Sequence, residues 1–116
     1  MIKNIGVDII ENERFKSFLE DEKKLNRILS KDEINQLNTF TAESRKLEYI
    51  AGRFATKEAL VKAGLKFNFP EISILNHPDG KPYLLGDTKK DKVLISISHN
   101  RSITVSFVVV IEPCFE

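Results

Sequence analysis

The hydrophobic period of this chain changes from about 3.6 residues in its first half to two residues in its second half. Over residues 42–63 apolar side chains recur at helical spacing, and Gly64 follows where helices commonly end. Most of this apolar stripe is supplied by Leu47, Ile50, Ala51, Phe54 and Val61. Residues 93–99 and 102–111 instead alternate around Asn100-Arg101, which predicts a β-hairpin. A long helix beside an antiparallel hairpin indicates the α+β class.

Shorter patterns complete the expected architecture. Residues 2–10 predict a first strand, and a helical segment with polar breaks follows over residues 11–38, where Ser30 and Glu33 form a capping box. Two short strands are predicted over residues 72–75 and 83–85, joined by a turn over residues 77–82. We therefore expect one domain, residues 1–116, in which an antiparallel sheet packs with a long central helix and a shorter helical segment.

Charge and hydropathy exclude several classes of function. The 116 residues carry 18 Lys/Arg and 17 Asp/Glu, a net charge of +1, whereas proteins held to nucleic acid by phosphate neutralisation are usually far more basic. The longest apolar run, residues 107–111, is much shorter than the roughly 20 residues of a membrane-spanning helix. No signal-peptide pattern opens the chain, and the single cysteine, Cys114, cannot form an internal disulfide. We expect a cytoplasmic protein that binds neither nucleic acid nor membrane.

A lone carboxylate lies in the first predicted strand. Side chains alternate between the two faces of a strand, so Asp8 shares a face with Gly6 and Ile10. An unpaired buried carboxylate is costly. Either this face is exposed near a sheet edge, or Asp8 is one of the one or two carboxylates with which proteins usually hold Mg²⁺ beside substrate phosphates.

The central helix offers a second carboxylate. Phe54, Glu58 and Lys62 are four residues apart and therefore lie along one side of the helix. Glu58 and Lys62 fit an ordinary surface ion pair, worth a few tenths of a kcal/mol. They also fit a site in which Glu58 and Asp8 share one ion, provided that the helix packs across the first strand.

Two polar turns are weaker candidates for binding. Ser98 and His99 end the first strand of the hairpin, where they fit either a phosphate site or a plain polar turn. Gly80-Lys81-Pro82 forms a rigid turn whose backbone groups can face a planar ligand. Neither a serine-hydrolase elbow nor a glycine-rich phosphate loop occurs.

Together these segments resemble the holo-[acyl-carrier-protein] synthases, the short 4′-phosphopantetheinyl transferases. The family's opening motif is matched by Gly6-Val7-Asp8-Ile9-Ile10-Glu11, and its central signature by Gly52-Arg53-Phe54-Ala55-Thr56-Lys57-Glu58-Ala59 with Lys62-Ala63 following. Next come Gly80-Lys81-Pro82 and Ser96-Ile97-Ser98-His99, in the family's order and approximate spacing. The resemblance spans position 5 to about position 111; residues 76–79 are less typical, and residues 86–91 carry no assigned role.

The resemblance implies a group-transfer reaction. The family moves the 4′-phosphopantetheine arm of coenzyme A onto a serine of apo acyl carrier protein in fatty acid biosynthesis, and the other product is adenosine 3′,5′-bisphosphate. Asp8 and Glu58 match its Mg²⁺ ligands. Glu58, directly or through a metal-bound water, is the candidate base, and Lys62 would neutralise the pyrophosphate and assist the leaving group.

The resemblance also assigns binding residues. Arg53 and His99, with Ser98 beside them, are candidates for the phosphates of the ADP part, while the adenine site would be lined by Gly80, Lys81 and Pro82. The family is trimeric, with sites between subunits, and meets its acidic carrier protein with a basic first helix. The matching positions are Arg14, Lys23 and Arg27, which also fit an ordinary solvated helix face.

Two other functions remain open from the sequence. The same scaffold could be a non-catalytic module that binds coenzyme A or a nucleotide with little dependence on Mg²⁺. It could also be a small oligomeric interaction protein whose polar strand face is simply surface.

Overall fold

The computed structural model describes residues 1–86 and 92–112, and it confirms the α+β class with antiparallel sheets. The strands are β1 (Ile2–Glu11), β2 (Ile74–Asn76), β3 (Pro82–Leu84), β4 (Lys92–His99) and β5 (Ile103–Ile111). The helices are α1 (Glu22–Ile28), α2 (Lys31–Leu37) and α3 (Glu43–Lys62), with 3-10 helices at Asn12–Phe18 and Phe69–Glu71. Cys114 lies outside the described residues. No helix in the described part of the chain is both long and apolar enough to cross a membrane.

The sheet that carries α3 has the strand order β1-β5-β4, so β5 is central and β1 and β4 are its edges. All pairings are antiparallel, and β2 and β3 form a separate two-stranded ribbon. The predicted hairpin of β4 and β5 is confirmed. The single helical segment expected over residues 11–38 consists of one 3-10 helix and the two short helices α1 and α2.

Small residues allow α3 to lie very close to β1. A Cβ atom on Gly6 would be 1.9 Å from the carbonyl oxygen of Ala59, so only glycine fits there. Ala59 and Ala55 are fully buried. Val61, predicted as part of the buried stripe, is 45% exposed, and this prediction is wrong. The helix contacts the sheet through alanines, whereas Val61 lies on a different side.

The capping box predicted at α2 is confirmed, and it does more than start the helix. Ser30 Oγ accepts a hydrogen bond from the N–H of Glu33 (3.2 Å), and Glu33 Oε1 accepts one from the N–H of Ser30 (2.8 Å). Glu33 Oε2 also accepts from the N–H of Ile74 at 2.7 Å, which anchors β2 to the start of α2.

Lys57 completes this buried polar junction from α3. Its ammonium donates to Glu33 Oε1 (2.6 Å), to the carbonyl of Ile28 (2.8 Å) and to the carbonyl of Phe69 (2.7 Å). Neither side chain of the ion pair is exposed. Burial lowers the pKa of Lys57, and the charge of Glu33 opposes this shift. The junction fixes α3 relative to α1, α2 and the 3-10 helix at Phe69–Glu71.

Candidate functional site

Asp8 lies on the side of β1 that faces α3. Its carboxylate Oδ1 is 3.2 Å from Lys62 Nζ, and the same ammonium donates to the carbonyl of Val7 at 3.1 Å. The Asp8 side chain is 16% exposed and that of Lys62 is 57% exposed. The strand is indeed a sheet edge, yet the carboxylate faces the helix and is paired with a cation. The condition that the helix crosses the first strand is therefore met.

Glu58 lies on α3 one turn before Lys62, and its side chain is half-buried. Phe54, a further turn back, packs against Phe15, and the Arg14 guanidinium lies 5.0 Å from the centre of the Phe54 ring. This side of α3 thus presents an aromatic ring, a carboxylate and an ammonium in succession. The exposed Arg14 lies beside its aromatic end.

The oxygen atoms around Lys62 fit the chemistry of a magnesium site. Carboxylates and carbonyls are hard donors, and Mg²⁺ typically takes only one or two protein carboxylates. Asp8 already holds a cationic group in the form of the Lys62 ammonium. Within residues 1–86 and 92–112, no three or more histidine, cysteine, aspartate or glutamate side chains group closely enough to hold a metal ion. Asp8 and Glu58 are the candidate pair.

A second cluster surrounds a small cavity between α3, the end of β4 and the turn before β3. The cavity measures about 90 Å³. It is lined by three basic side chains, Arg45, Arg53 and His99, together with Glu48, Gly80 and Pro82 among others. An adjoining groove of about 420 Å³ shares Arg45, Asn76 and Gly80 with the cavity and adds Phe40. The cavity has room for a small polar group, and the groove has room for a larger one.

Arg53 gives the cavity its charge. The residue is only 2% exposed; its Nη2 donates to Asn76 Oδ1 at 2.9 Å, and its Cζ lies 4.1 Å from the centre of the Tyr49 ring. Among the described residues, Arg53 Nε has no hydrogen-bond partner. Burial lowers the pKa of Arg53, but guanidinium groups stay charged in proteins. A buried cation with an unused donor beside a cavity is suited to an anionic oxygen.

His99 and Gly80 reach the same cavity from two other segments. His99 Nδ1 is 3.2 Å from Glu48 Oε2 on α3. Gly80 has φ of +91°, a conformation that favours glycine, and its N–H donates to the carbonyl of His77 at 2.8 Å. The structure thus groups four predicted binding residues, Arg53, Gly80, Pro82 and His99, at one place.

Other predicted site residues lie elsewhere. Lys81 lines a neighbouring groove of about 490 Å³, which shares Pro82 with the cavity and includes Tyr83. Ser98 lies on the face of the sheet opposite α3, because side chains alternate along β4 and His99 faces the cavity. Lys23 and Arg27 are exposed on α1, one turn apart. The structure of one chain places neither Ser98 nor Lys81 beside Arg53.

Sequence reasoning missed several residues of the cavity, namely Arg45, Glu48, Tyr49 and Asn76. A signal for two of them was present, since Arg45, Tyr49 and Arg53 are spaced by four residues and share one side of α3. Asn76 follows from no local pattern, because β2 joins the cavity through tertiary packing.

Comparison with known proteins identifies the family. A model of the "4'-phosphopantetheinyl transferase superfamily" matches residues 4–108. This chain belongs to that superfamily. Among curated relatives of this transferase, a holo-[acyl-carrier-protein] synthase of Staphylococcus aureus is 43% identical and covers 99% of this chain and 100% of its own. The holo-[acyl-carrier-protein] synthase of Staphylococcus carnosus is 42% identical, covering 94% and 97%.

Solved structures of similar proteins agree with this membership. The transferase superimposes on a holo-(acyl-carrier-protein) synthase from Bacillus anthracis "in complex with CoA (3',5'-ADP)" with a TM-score of 0.85 and 38% identity, covering 97% of this chain and 99% of that one. The synthase of Neisseria meningitidis gives a TM-score of 0.78 at 28% identity, covering 95% and 98%.

Proposed function

We propose that residues 1–116 form one holo-[acyl-carrier-protein] synthase domain, which transfers 4′-phosphopantetheine from coenzyme A to a serine of apo acyl carrier protein. The observation that carries this proposal is the ion pair between Asp8 and Lys62 in a chain of this superfamily. Lys62 lies one helical turn after Glu58, so the two carboxylates and the ammonium belong to one region of the molecule. The cytoplasmic location that the sequence predicts and the role in fatty acid biosynthesis that the resemblance implies belong to the same proposal.

The proposed reaction is a displacement at phosphorus. The carrier serine oxygen attacks the phosphoryl group attached to pantetheine, and the bridging P–O bond to adenosine 3′,5′-bisphosphate breaks. Glu58 accepts the serine proton, and Lys62 neutralises charge on the departing phosphate. Lys62 can do so because its side chain is long and 57% exposed, and it is held to Asp8 by an exposed, weak ion pair.

Asp8 and Glu58 would hold Mg²⁺. When bound, the ion supplies positive charge that spreads the charge developing on the transferred phosphoryl group. The chain itself contributes two carboxylates, one on β1 and one on α3. The distance between β1 and α3 is fixed by the contact of Gly6 with Ala59. A strand and a helix held that closely cannot shift independently, so the backbone positions of Asp8 and Glu58 are fixed relative to each other.

The Arg53 cavity would take a phosphate of the nucleotide end of coenzyme A. The side chains of Arg45, Arg53 and His99 offer donors to its oxygens. Gly80 and Pro82 would line the adenine site, and the adjoining groove offers the larger space that a base requires. Lys81 and Ser98 stay predictions that one chain alone does not support.

Two partial sites lie at opposite edges of the sheet within one chain, one formed by Asp8, Glu58 and Lys62 and the other by the Arg53 cavity. We call each of them a half-site. Asp8 belongs to edge strand β1, whereas His99 belongs to edge strand β4. A complete site therefore forms most simply where the β1 edge of one copy meets the β4 edge of the next. Such a head-to-tail contact gives a ring when the rotation between copies closes, and we propose the homotrimer that the resemblance implies.

An exposed apolar surface supports this assembly. On the face of the sheet opposite α3 the exposed apolar side chains include Ile5, Val7, Ile9, Leu94, Ile103 and Phe107. We call these residues the outer sheet face. Contiguous apolar patches of this kind mark protein interaction sites. In the proposed trimer, other copies of the chain cover it.

The acyl carrier protein would dock beside Glu58. Arg14 lies against Phe54, one turn before Glu58, and therefore stands close to the proposed base. Lys23 and Arg27 add exposed positive charge on α1. An acidic carrier is steered to such a patch by complementary charge.

The deciding experiment incubates the protein with apo carrier protein, coenzyme A and Mg²⁺, and weighs the carrier. A mass gain of one phosphopantetheine arm is expected, and it should disappear with Glu58→Gln while that variant keeps its circular dichroism spectrum. Glu43→Gln, which removes the same charge at the exposed first turn of α3, is the matched control. If coenzyme A binds equally with and without Mg²⁺ and no mass is gained, the chain is the non-catalytic binding module instead.

A further inference from the structure

Glu48 is a carboxylate in the cavity that also carries the basic side chains of Arg45, Arg53 and His99. Beside an anion it is unfavourable by itself, because like charges repel. Its Oε2 lies 3.2 Å from His99 Nδ1, and the Glu48 and His99 side chains are 18% and 35% exposed. The contact indicates that Glu48 acts on the imidazole and not on the ligand directly.

Matched spacing between α3 and β4 brings these two side chains together. A Cβ atom on Gly52 would be 3.6 Å from Ile97 Cγ2, so helix and strand are in contact at that level. His99 lies two residues further along the strand, about 6.8 Å, and Glu48 lies four residues back along the helix, about 6 Å. The contact of Glu48 with His99 therefore lies next to the contact of Gly52 with Ile97 along the interface between α3 and β4.

The backbone beneath His99 is fixed from another side. His99 pairs with Thr104 across the hairpin, and Thr104 Oγ1 donates to Asn12 Oδ1 at 2.6 Å. Asn12 Nδ2 in turn donates to the carbonyls of Asn100 (2.9 Å) and Arg101 (3.2 Å). Because the backbone is held in this way, the imidazole of His99 can change its orientation only by rotation about its side-chain bonds. The contact with Glu48 restricts that rotation.

We infer that Glu48 is a positioning residue for His99, and that together they form the part of the site that recognises a phosphate monoester of the nucleotide. An imidazolium carries a hydrogen on both ring nitrogens, so in that form Nδ1–H faces Glu48 Oε2 and Nε2–H is left to donate to a phosphate oxygen. This inference rests on the proposed function and deepens it, since it assigns an acidic side chain a role in binding an anionic substrate.

Calorimetric titration with adenosine 3′,5′-bisphosphate, without divalent metal, tests the inference separately from the proposed metal pair. Glu48→Ala should weaken binding roughly tenfold, as expected for loss of one hydrogen bond to a charged group, and raise the KM for coenzyme A in parallel. Glu48→Gln should stay within about threefold of the parent, because the amide oxygen accepts the same hydrogen bond. Glu48→Met keeps the side-chain length without the acceptor, and should behave as Glu48→Ala does.

The double variant Glu48→Ala/His99→Ala decides between positioning and a direct role. It should bind the bisphosphate no more weakly than His99→Ala alone, because Glu48 acts through the histidine. Additive losses, or a Glu48→Ala variant that binds like the parent, overturn the inference. Binding and transfer by the parent chain test the proposed function independently, so the two failures are distinguishable.

Discussion

The ammonium of Lys62 lies 3.2 Å from the carboxylate of Asp8, so the proposed metal ligand already has a positive partner within the chain. A divalent ion that binds Asp8 must compete with this ammonium. Lys62→Met removes the competitor. We therefore expect Mg²⁺ to bind a few-fold more tightly, since an exposed ion pair contributes at most about 1 kcal/mol.

The same variant should lose transfer activity by about a hundredfold, because the departing phosphate loses its neutralising charge. Metal affinity measured by calorimetry and turnover measured by carrier mass would thus change in opposite directions. Lys66→Met is the control for net charge. Equal metal affinity in Lys62→Met and the parent would contradict the competition.

Two glycines at the contact between α3 and the sheet, Gly6 on β1 and Gly52 on α3, allow a matched test of how closely the fold is packed. A Cβ on Gly6 would be 1.9 Å from a backbone oxygen of Ala59, whereas a Cβ on Gly52 would meet only the Ile97 side chain, at 3.6 Å. Gly6→Ala must push β1 away from α3 and should cost about 3 kcal/mol of unfolding free energy. Gly52→Ala should be neutral or stabilise by up to about 1 kcal/mol, because alanine is the better helix former. Urea unfolding at one protein concentration compares them, and equal stabilities would contradict the described packing.

The elements best predicted from the sequence are those whose pattern is local. The extent of α3, the capping box at Ser30 and the hairpin at Asn100 follow from neighbouring residues, and the structure confirms them. The outward position of Val61 could not be predicted, because hydropathy does not say that α3 would meet the sheet through alanines. Nor does hydropathy say which face of β1 packs on the helix, since both faces carry apolar residues.

The half-site at β1 and the half-site at β4 also differ in how far the sequence predicts them. The sequence places Asp8 beside the Glu58–Lys62 side of α3 only on the condition that the helix packs across the first strand, and the contact of Asp8 with Lys62 meets that condition. No sequence pattern predicts the contact of Glu48 with His99, since it depends on the register between α3 and a strand far along the chain. Arg53 was assigned through the resemblance, whereas its buried, unsatisfied Nε became visible only in three dimensions.

Tyr49 should make the folded chain sensitive to alkaline pH. Burial raises the pKa of its phenol above the ordinary 10.0, and the charge of Arg53 opposes this. Above pH 10 the unfolded chain therefore releases a proton that the folded chain retains. The Tyr49 contribution to stability is fully present below that pH and is lost as pH rises beyond it.

Phenylalanine at this position isolates the effect, since Tyr49→Phe keeps the ring over Arg53 and removes the ionisable group. Between about pH 9 and pH 11, the stability of the parent should fall relative to Tyr49→Phe, by up to about 1.4 kcal/mol per pH unit. Because buried Lys57 is common to both proteins, its own titration cancels in the difference. Parallel pH profiles in urea unfolding would contradict the assignment.

Val7 and Phe107 are neighbours across β1 and β5 on the outer sheet face, and they are 52% and 41% exposed. Val7→Lys places a charge in the middle of this face without disturbing the α3 side of the sheet. If copies of the chain cover it, the variant should sediment as a smaller species than the parent and lose transfer activity. Leu85→Lys, at another exposed apolar residue, should leave the sedimentation unchanged. Identical sedimentation of Val7→Lys and the parent would contradict burial of this face between copies.

Mixing two defective variants tests whether each site is shared between copies. Glu58→Gln impairs the half-site at β1, and His99→Ala impairs the half-site at β4. After dissociation and reassembly of an equal mixture, an interface combines an intact half from each variant in about one case in four. Activity should therefore rise above the average of the separate variants, towards roughly a quarter of the parent value. If mass spectrometry shows mixed assemblies and activity stays at that average, both half-sites belong to one chain, because complementation requires them to come from different copies.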